Sequence, residues 1–324
     1  MNVLVWHVHG SWATSFVHGR HRYLVPVTPD RGPWGLGRAR TYPWPERAVE
    51  VTPEALARAE VDVVVLQRPE EFELACQWLG RRVGRDVPAI YVEHNTPKGD
   101  VPETRHPMAD RDDLLLVHVT GFNELFWDSG TTRTTVVEHG VVAPKVEWTG
   151  ELDRLAVVIN EPVRRWRVTG TDLLPRFAAL APLDVFGMGV GGLAERLGLP
   201  ADRLATHDDV PQELMHAELG RRRAYLHLCR WTSLGLSLIE AMAIGMPVVA
   251  LATTEAPVAV PPEAGALSTR VGELVGATRR LLDDPQAARR AGAAARRAAR
   301  ERYGLDRFLA DWDRLLEEEV CASR

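Results

Sequence analysis

The chain has 324 residues, which is enough for two domains of about 150 residues, each with a substantial core. Its net charge of −5 argues against a globally basic surface of the kind that binds nucleic acid. The three cysteines, Cys76, Cys229 and Cys321, are far apart and predict neither a disulfide framework nor a metal site, so we expect a reducing, cytoplasmic location. The longest apolar stretch, Ala241 to Ala252, is too short to cross a bilayer, so no transmembrane segment is expected.

Short apolar runs alternate with helix-like segments along the whole chain. The runs are β-branched and nearly continuous, which is typical of strands that are buried on both faces. Alternating strands and helices predict an α/β protein with doubly wound parallel sheets. The predicted strands lie at 3–8, 62–66, 89–92, 114–119, 135–137, 155–159, 183–186, 224–228 and 248–251, and the predicted helices at 70–82, 123–129, 172–180 and 272–282.

Two such series predict two Rossmann-like domains, which we place at 1–147 and 148–304, because prolines and glycines interrupt the pattern at 143–150. The region 29–53 is rich in Pro and Gly and predicts a long ordered loop. The segment 285–320 predicts helices with a break near Tyr303 and Gly304. Its arginines at 289, 290, 296, 297 and 300 are typical of a solvated face.

The most informative segment runs from Thr232 to Val249. A glycine loop leads into a short apolar helix, a glycine ends that helix, and a proline leads into a buried strand. Ser237 and Glu240 have the spacing of a capping box, which predicts a helix that starts near Leu238. The N–H groups at such a helix start can bind an anion, and Gly235 lets a ligand approach the backbone closely.

This segment resembles the Glu-x7-Glu region of GT-B glycosyltransferases of the family-4, or group 1, type. The resemblance implies two Rossmann-like domains that face a central cleft, with the acceptor side on the N-terminal domain and the donor side on the C-terminal domain. It also implies that the last helix, 305–324, joins the N-terminal domain. The first Glu of the motif is Thr232 here, and the second is Glu240. By resemblance, the donor-binding residues of this segment are Thr232, Gly235, Leu236, Ser237 and Glu240.

Two places in the first domain match the same family. Gly10 follows the first strand, where such proteins have a glycine turn against the donor. His94 follows a buried strand, where many family members have a functional histidine. We assign His94 as a group that orients the sugar or acceptor, or as a base, because ligands bind at the carboxyl ends of parallel strands.

A third match follows the first strand of the second domain. The family has an Arg there, then Lys-Gly five residues later, and these cations neutralise the donor diphosphate. Arg164 and Gly170 fit this pattern, whereas Thr169 occupies the Lys position. The missing charge could come from Arg167 or Arg165, and we favour Arg167 because Arg165 fits an exposed surface residue.

The resemblance implies transfer of a sugar from a nucleoside-diphosphate sugar to an acceptor with retained anomeric configuration. No metal or other cofactor is expected, and no protein nucleophile is assigned. The acceptor stays open among a sugar, a lipid-linked sugar and a small natural product, and peripheral contact with a membrane is compatible with the sequence.

Two other classes stay open. A nucleotide-sugar epimerase or hydrolase of the same fold would cleave the same bond without a sugar acceptor. A non-catalytic protein that binds a nucleotide sugar would explain why Thr169 and Thr232 depart from the family pattern. A dinucleotide oxidoreductase is disfavoured, because no Gly-x-Gly-x-x-Gly follows the first strand.

Overall fold

The structure is a computed structural model that describes residues 1–322. Within that range the strands are β1 (Asn2–Val5), β2 (Arg22–Pro26), β3 (Ala48–Val51), β4 (Val63–Leu66), β5 (Ala89–Glu93), β6 (Leu115–His118), β7 (Arg133–Val136), β8 (Leu152–Val158), β9 (Leu183–Gly187), β10 (Leu204–Asp208), β11 (Arg222–His227), β12 (Val248–Leu251) and β13 (Gly265–Ser268).

The helices connect these strands and close the chain. They are α1 (Gly10–Val17), α2 (Pro53–Leu56), α3 (Glu70–Leu79), α4 (Gly121–Phe126), α5 (Pro162–Arg165), α6 (Leu174–Ala178), α7 (Leu193–Leu197), α8 (Gln212–Arg221), α9 (Leu236–Ile244), α10 (Ala256–Ala259), α11 (Val271–Asp283), α12 (Pro285–Tyr303) and α13 (Leu305–Ala322), with 3₁₀ turns at Thr171–Leu173 and Pro262–Ala264. No helix of residues 1–322 has both the length and the apolar character that a membrane span requires.

The chain divides into two compact units. Unit 1 comprises Met1–Val142 and the segment that begins at Leu305, and unit 2 comprises Ala143–Gly304. The boundary therefore falls within the interrupted stretch 143–150, slightly before the position we assigned from the sequence.

Unit 1 contains a parallel sheet in the order β3-β2-β1-β4-β5-β6-β7. Its central strands are fully buried, as their continuous apolar runs predict. All five predicted strands are confirmed, although the first ends at Val5 and not at Val8. The strand order reverses between β1 and β4, so the loops after these two strands diverge and leave room for a ligand.

The sequence interpretation missed strands at the edge of this sheet. We predicted 29–53 as a loop, but β3 lies wholly inside this range and α2 begins at its last residue. The loop prediction therefore holds only for the part before Ala48. Only the first and last residues of β3 are buried, and such a short half-exposed strand lacks the continuous apolar run on which we relied. β2, which lies between β3 and β1, was missed as well; this short strand ends at Pro26.

The last helix packs in unit 1 through its apolar face. The Trp312 ring lies 5.0 Å from that of Phe16 and 5.8 Å from that of Trp12, edge to face in both pairs. Phe308 is fully buried, and a Cβ atom added to Gly140 would lie 2.2 Å from its Cβ. The two segments of unit 1, Met1–Val142 and the last helix, therefore share one hydrophobic core.

Unit 2 repeats the plan with a parallel sheet in the order β10-β9-β8-β11-β12-β13. The four predicted strands of this half are confirmed. The two that we missed, β10 and β13, are edge strands in which half-exposed residues break the apolar run. The break between α12 and α13 at Gly304 is also confirmed. The order reverses between β8 and β11, which makes the loops after these strands the candidate ligand site.

Candidate functional site

Arg230 ties together the two loops that flank the reversal point of unit 2. Its backbone N donates to Val168 O at 2.8 Å. Its guanidinium donates to both carboxylate oxygens of Asp172, at 2.6 and 2.9 Å, and to Arg167 O at 2.7 Å. A bidentate arginine–carboxylate pair fixes geometry as well as charge, so the loop after β8 is held against the loop after β11.

Gly170 is the closest contact between these loops. Its φ of 72° is left-handed, and a Cβ atom at this position would lie 1.9 Å from Leu228 O. A backbone atom cannot move aside as a flexible side chain can, so only glycine fits here. The match of Gly170 to the family pattern therefore has a steric cause.

Arg164 and Arg167 are both exposed on the loop after β8. Arg164 Nε donates to Glu161 Oε1 at 2.9 Å, and its Nη2 contacts the other oxygen of the same carboxylate. Arg167 Nη1 lies 3.1 Å from Asp172 Oδ2. Exposed ion pairs contribute little free energy, so a bound anion can compete with these carboxylates for both guanidinium groups.

Thr169 does not present its hydroxyl to a ligand. The side chain is buried, and Oγ1 donates to Trp166 O at 3.0 Å and lies 2.8 Å from Thr171 Oγ1. The hydroxyl therefore secures the turn from inside and does not take the place of the Lys side chain of the family pattern. A threonine can take this inward position because it is short, whereas the Lys of the family pattern could not.

The predicted capping box at the start of α9 does not form. The N-cap residue is Gly235 and the helix begins at Leu236, which places Ser237 inside the first turn. Ser237 Oγ accepts a hydrogen bond from Tyr225 Oη at 2.9 Å. Because Gly235 has no side chain, no N-cap oxygen competes for the N–H groups at this helix start, which leaves them suited to an anion.

Glu240 is buried and faces α8. Its Oε1 accepts from Gln212 Nε2 at 2.9 Å, and its Oε2 lies 3.4 Å from His216 Nε2. If Glu240 does not bind a ligand, its role is therefore a polar bridge to α8. It does not have the capping role that the spacing suggested.

The remaining predicted residues of this segment lie on one short stretch. Thr232 is half-buried in the loop after β11, and Leu236 is the first residue of α9. A Cβ atom at Gly235 would lie 2.6 Å from His227 Cε1, so glycine lets the helix start sit directly over this ring. Burial lowers the pKa of His227 to about 4, so the ring beneath the helix start is neutral at pH 7.

The structure brings the second group of predicted residues together in unit 1. Gly10 is the first residue of α1, and a Cβ atom there would lie 2.7 Å from the Tyr42 ring. His94 directly follows β5. Its ring centroid lies 4.2 Å from that of His9, just before Gly10, and 5.0 Å from that of Trp12. The turn after β1 and the end of β5 thus meet at one edge of the sheet.

Gln67, which follows β4, fixes the orientation of the His94 ring. Gln67 Nε2 donates to Trp6 O at 2.7 Å, so the amide oxygen is the atom that faces His94. Gln67 Oε1 lies 3.1 Å from His94 Nε2 and can only accept. His94 therefore carries its proton on Nε2, and Nδ1 has the lone pair that can accept a hydrogen bond.

Three buried histidines of unit 1, His9, His94 and His139, are neutral at pH 7. Burial lowers the pKa of His94 well below its usual value, and it lowers the pKa of His9 to about 4 and that of His139 to about 3. A neutral imidazole can orient a hydroxyl group or accept its proton. Both roles that the sequence suggested for His94 are therefore chemically open to it.

Sequence reasoning missed Arg230 and Gln67. Both stand just beyond a buried strand that borders a reversal of strand order, β11 for Arg230 and β4 for Gln67. The strand order, which the sequence did not supply, was the missing signal. Within residues 1–322, no three His, Cys, Asp or Glu side chains are grouped so that they could hold a metal ion.

Two doubly wound parallel-sheet units, with the last helix returned to the first unit, define the GT-B class of proteins. Solved structures with this arrangement cover nearly the whole chain. Sucrose-phosphate synthase from Thermosynechococcus elongatus is similar over 100% of both chains, with a TM-score of 0.72 and 15% identity. Anabaena Alr3699/HepE in complex with UDP covers 98% of this chain and 99% of its own, with a TM-score of 0.70 and 14% identity. AviGT4, a glycosyltransferase involved in avilamycin A biosynthesis, covers 99% of this chain and 98% of its own, with a TM-score of 0.64 and 16% identity.

Part of unit 2 is similar in sequence to a known family. Residues 193–298 match the family Glycosyl transferases group 1, which confirms the recognition made from the segment that contains Gly235 and Glu240. The loop with Arg164 and Gly170 lies before the matched region. No curated protein sequence gives a significant match.

Proposed function

We propose that this protein is a glycosyltransferase that transfers a sugar from a nucleoside-diphosphate sugar to an acceptor. The observation that carries the proposal is the set of Arg230 contacts that hold together the two loops at the reversal point of unit 2. The exposed guanidinium of Arg164 follows β8, and the uncapped start of α9 at Gly235 follows β11. A diphosphate would find fixed N–H donors and an exposed cation at one edge of the sheet.

The chemistry needs stabilisation of a leaving group. Cleavage of the anomeric C–O bond develops positive charge on the sugar and negative charge on the departing diphosphate. Fixed N–H groups at the start of α9 would stabilise that charge, and the guanidinium of Arg164 would do so once it leaves Glu161. We propose that these groups provide the main stabilisation, so that the reaction requires no bound metal ion.

Glu240 is proposed to bind the donor ribose. Its carboxylate lies in the same helix as the proposed phosphate site, one turn after Ser237. Binding of a ribose would require the carboxylate to exchange its contact with Gln212 for one with the sugar hydroxyls. Such an exchange conserves the number of hydrogen bonds, so its net cost is small.

His94 is proposed to orient the transferred sugar or the acceptor hydroxyl through Nδ1. The proton on Nε2 makes Nδ1 an acceptor, and the lowered pKa keeps the ring neutral at pH 7. No carboxylate is assigned as a nucleophile, and we propose retention of the anomeric configuration by attack on the face from which the diphosphate leaves.

The test is a turnover assay with UDP-glucose, which is bound in one structure of Anabaena HepE. Nucleoside diphosphate release would be followed with and without a panel of sugar acceptors, in the presence and absence of EDTA. We expect release that depends on the acceptor, is insensitive to EDTA and gives an α-linked product by NMR. Equal release without acceptor would favour a hydrolase or epimerase instead.

A non-catalytic nucleotide-sugar-binding protein is the second candidate. It is favoured by Thr169, which supplies no charge and is buried where the family pattern has a Lys. Binding of nucleotide sugars that is never followed by diphosphate release, over a broad panel of donors and acceptors, would support this candidate.

A further inference from the structure

A second concave site lies in unit 2, at the other end of α9. The cavity has a volume of about 310 Å³ and is lined by the end of α9, by one side of α12 and by Glu147 and Trp148. Helix α9 has nine residues, so its two ends are about 13 Å apart. The cavity at Ile244 and Gly245 is therefore separate from the proposed donor site at Gly235.

The cavity is strongly positive. Four arginines of α12 line it: Arg289, Arg296, Arg297 and Arg300. The one carboxylate in the lining, Glu147, pairs with Arg296 at 2.8 Å between Oε1 and Nη1. The other three arginines form no ion pair with any part of the chain that the structure describes. The lining thus carries an excess of three positive side-chain charges.

Packing of the two helices makes this cavity concave. A Cβ atom at Gly292 would lie 2.1 Å from Gly245 O, so α12 approaches the end of α9 through backbone alone. Arginines that precede and follow Gly292 in α12 then line the cavity beside this contact. Arg290, one position away from Arg289, lies outside the lining and is 3.9 Å from Asp284 instead. The solvated helix face that the sequence predicted therefore has two parts, and the concave one has Glu147 as its single acidic partner.

The negative end of α9 does not account for the arginines. The last carbonyl of the helix, Ile244 O, already accepts from Trp148 N at 3.0 Å. In addition, Arg296 Nε is buried without a hydrogen-bond partner among residues 1–322. A buried unsatisfied donor beside an excess of positive charge points to an anion that would satisfy it.

We propose that this cavity binds the phosphate group of a small phosphorylated molecule. Guanidinium groups bind phosphate through paired hydrogen bonds, and several of them can surround one or two phosphate groups. The volume is at the lower limit of small-molecule sites, which favours a ligand of metabolite size. The same phosphate chemistry is available from a free phosphorylated metabolite and from a phospholipid headgroup.

The test uses the full chain, with sodium pyrophosphate as the probe in isothermal titration at low salt, and every protein carries Arg164→Ala so that the proposed donor site contributes little to the signal. The variant is Arg297→Gln/Arg300→Gln. The matched control is Arg279→Gln/Arg280→Gln on α11, which removes the same charge from exposed residues outside the cavity. We expect a pyrophosphate site whose affinity falls at least about tenfold in the cavity variant and less than about threefold in the control. If the double variant does not fold, Arg300→Gln alone takes its place.

A cavity variant that binds pyrophosphate as tightly as the parent would overturn the proposal. So would a parent protein that binds no pyrophosphate, or equal losses in the two variants. Sedimentation with phosphatidylglycerol and phosphatidylcholine vesicles separates the two sources of phosphate. Binding to the anionic vesicles that the cavity variant loses would assign the site to a lipid headgroup. Pyrophosphate binding without vesicle binding would assign it to a free metabolite.

Discussion

His94 Nε2 lies 3.1 Å from Gln67 Oε1, and the amide of Gln67 cannot turn because its Nε2 donates to Trp6 O at 2.7 Å. Two strand ends, those of β4 and β5, thereby select one tautomer of a buried histidine. The selection makes Nδ1 the acceptor nitrogen of the ring, so Gln67 is a positioning residue for His94.

The first prediction tests this relationship. Gln67→Leu should lower kcat by about three- to tenfold, the equivalent of one lost hydrogen bond, with less effect on nucleotide affinity. The ¹⁵N spectrum of neutral His94 should change from a pure Nε2–H tautomer to a mixture. Gln77→Leu, on the exposed side of α3, serves as the control. An unchanged tautomer in Gln67→Leu would show that the ring is held by other contacts.

Glu240 gives the second prediction, in which a ligand-binding role is separated from a structural one. Glu240→Gln should weaken binding of a nucleoside diphosphate by about 1–3 kcal/mol, because a charged acceptor for the ribose is lost. Gln212→Leu removes the contact to the same carboxylate from α8 and should alter stability more than affinity. If Glu240→Gln lowers the melting temperature and leaves affinity unchanged, the bridge to α8 is its only role.

The third prediction concerns the carboxylate that competes for Arg164. Arg164→Ala should weaken diphosphate binding because a charge-assisted contact is lost, whereas Glu161→Gln should strengthen binding, since it releases the guanidinium. Arg165→Ala, in the same loop, is the matched control and should have little effect. Titration calorimetry with UDP measures all three variants, and wild-type affinity in Arg164→Ala would show that the family alignment across this loop is wrong.

The fourth prediction concerns pH and His118, which is fully buried at the end of β6 with neither ring nitrogen hydrogen-bonded to residues 1–322. Burial, with a smaller effect of His106, lowers its pKa to about 4. The folded state therefore binds a proton less readily than the unfolded state, and the stability present above pH 6.5 is lost as the pH falls towards 4. Between pH 8 and pH 5 this residue should account for about 2 kcal/mol of that loss.

His118→Leu should therefore flatten the dependence of the free energy of unfolding on pH, measured by urea denaturation at pH 8, 6 and 5. At pH 8 the wild-type side chain is neutral in both states, so that measurement isolates the effect of the substitution on packing. An equally steep loss of stability in the variant would show that other groups cause it.

The sequence predicted those parts of the molecule in which a local pattern of residues has a single physical explanation. Continuous apolar runs identified the central strands. Gly170 was assigned from its match to the family pattern, and the structure gives the match a physical cause in the close approach of Leu228 O. The capping box failed because the Ser237 hydroxyl found a tertiary partner in Tyr225, which local spacing cannot reveal. Arg230 and Gln67 were missed because their roles depend on which strands become neighbours. The edge strands β3, β10 and β13 were missed because half-exposed positions give no continuous apolar pattern.

Binding of a nucleoside diphosphate by unit 2 is the central claim, and a thermal-shift panel tests it most directly. UDP, other nucleoside diphosphates and their sugar derivatives would be added at about 100 times the expected dissociation constant. One of them should stabilise the protein by about 2.7 kcal/mol, which corresponds to a rise in melting temperature of roughly 5–10 °C for a unit of this size. The rise should be smaller in Arg164→Ala and in Glu240→Gln at the same concentration. No rise with any member of the panel would contradict the claim.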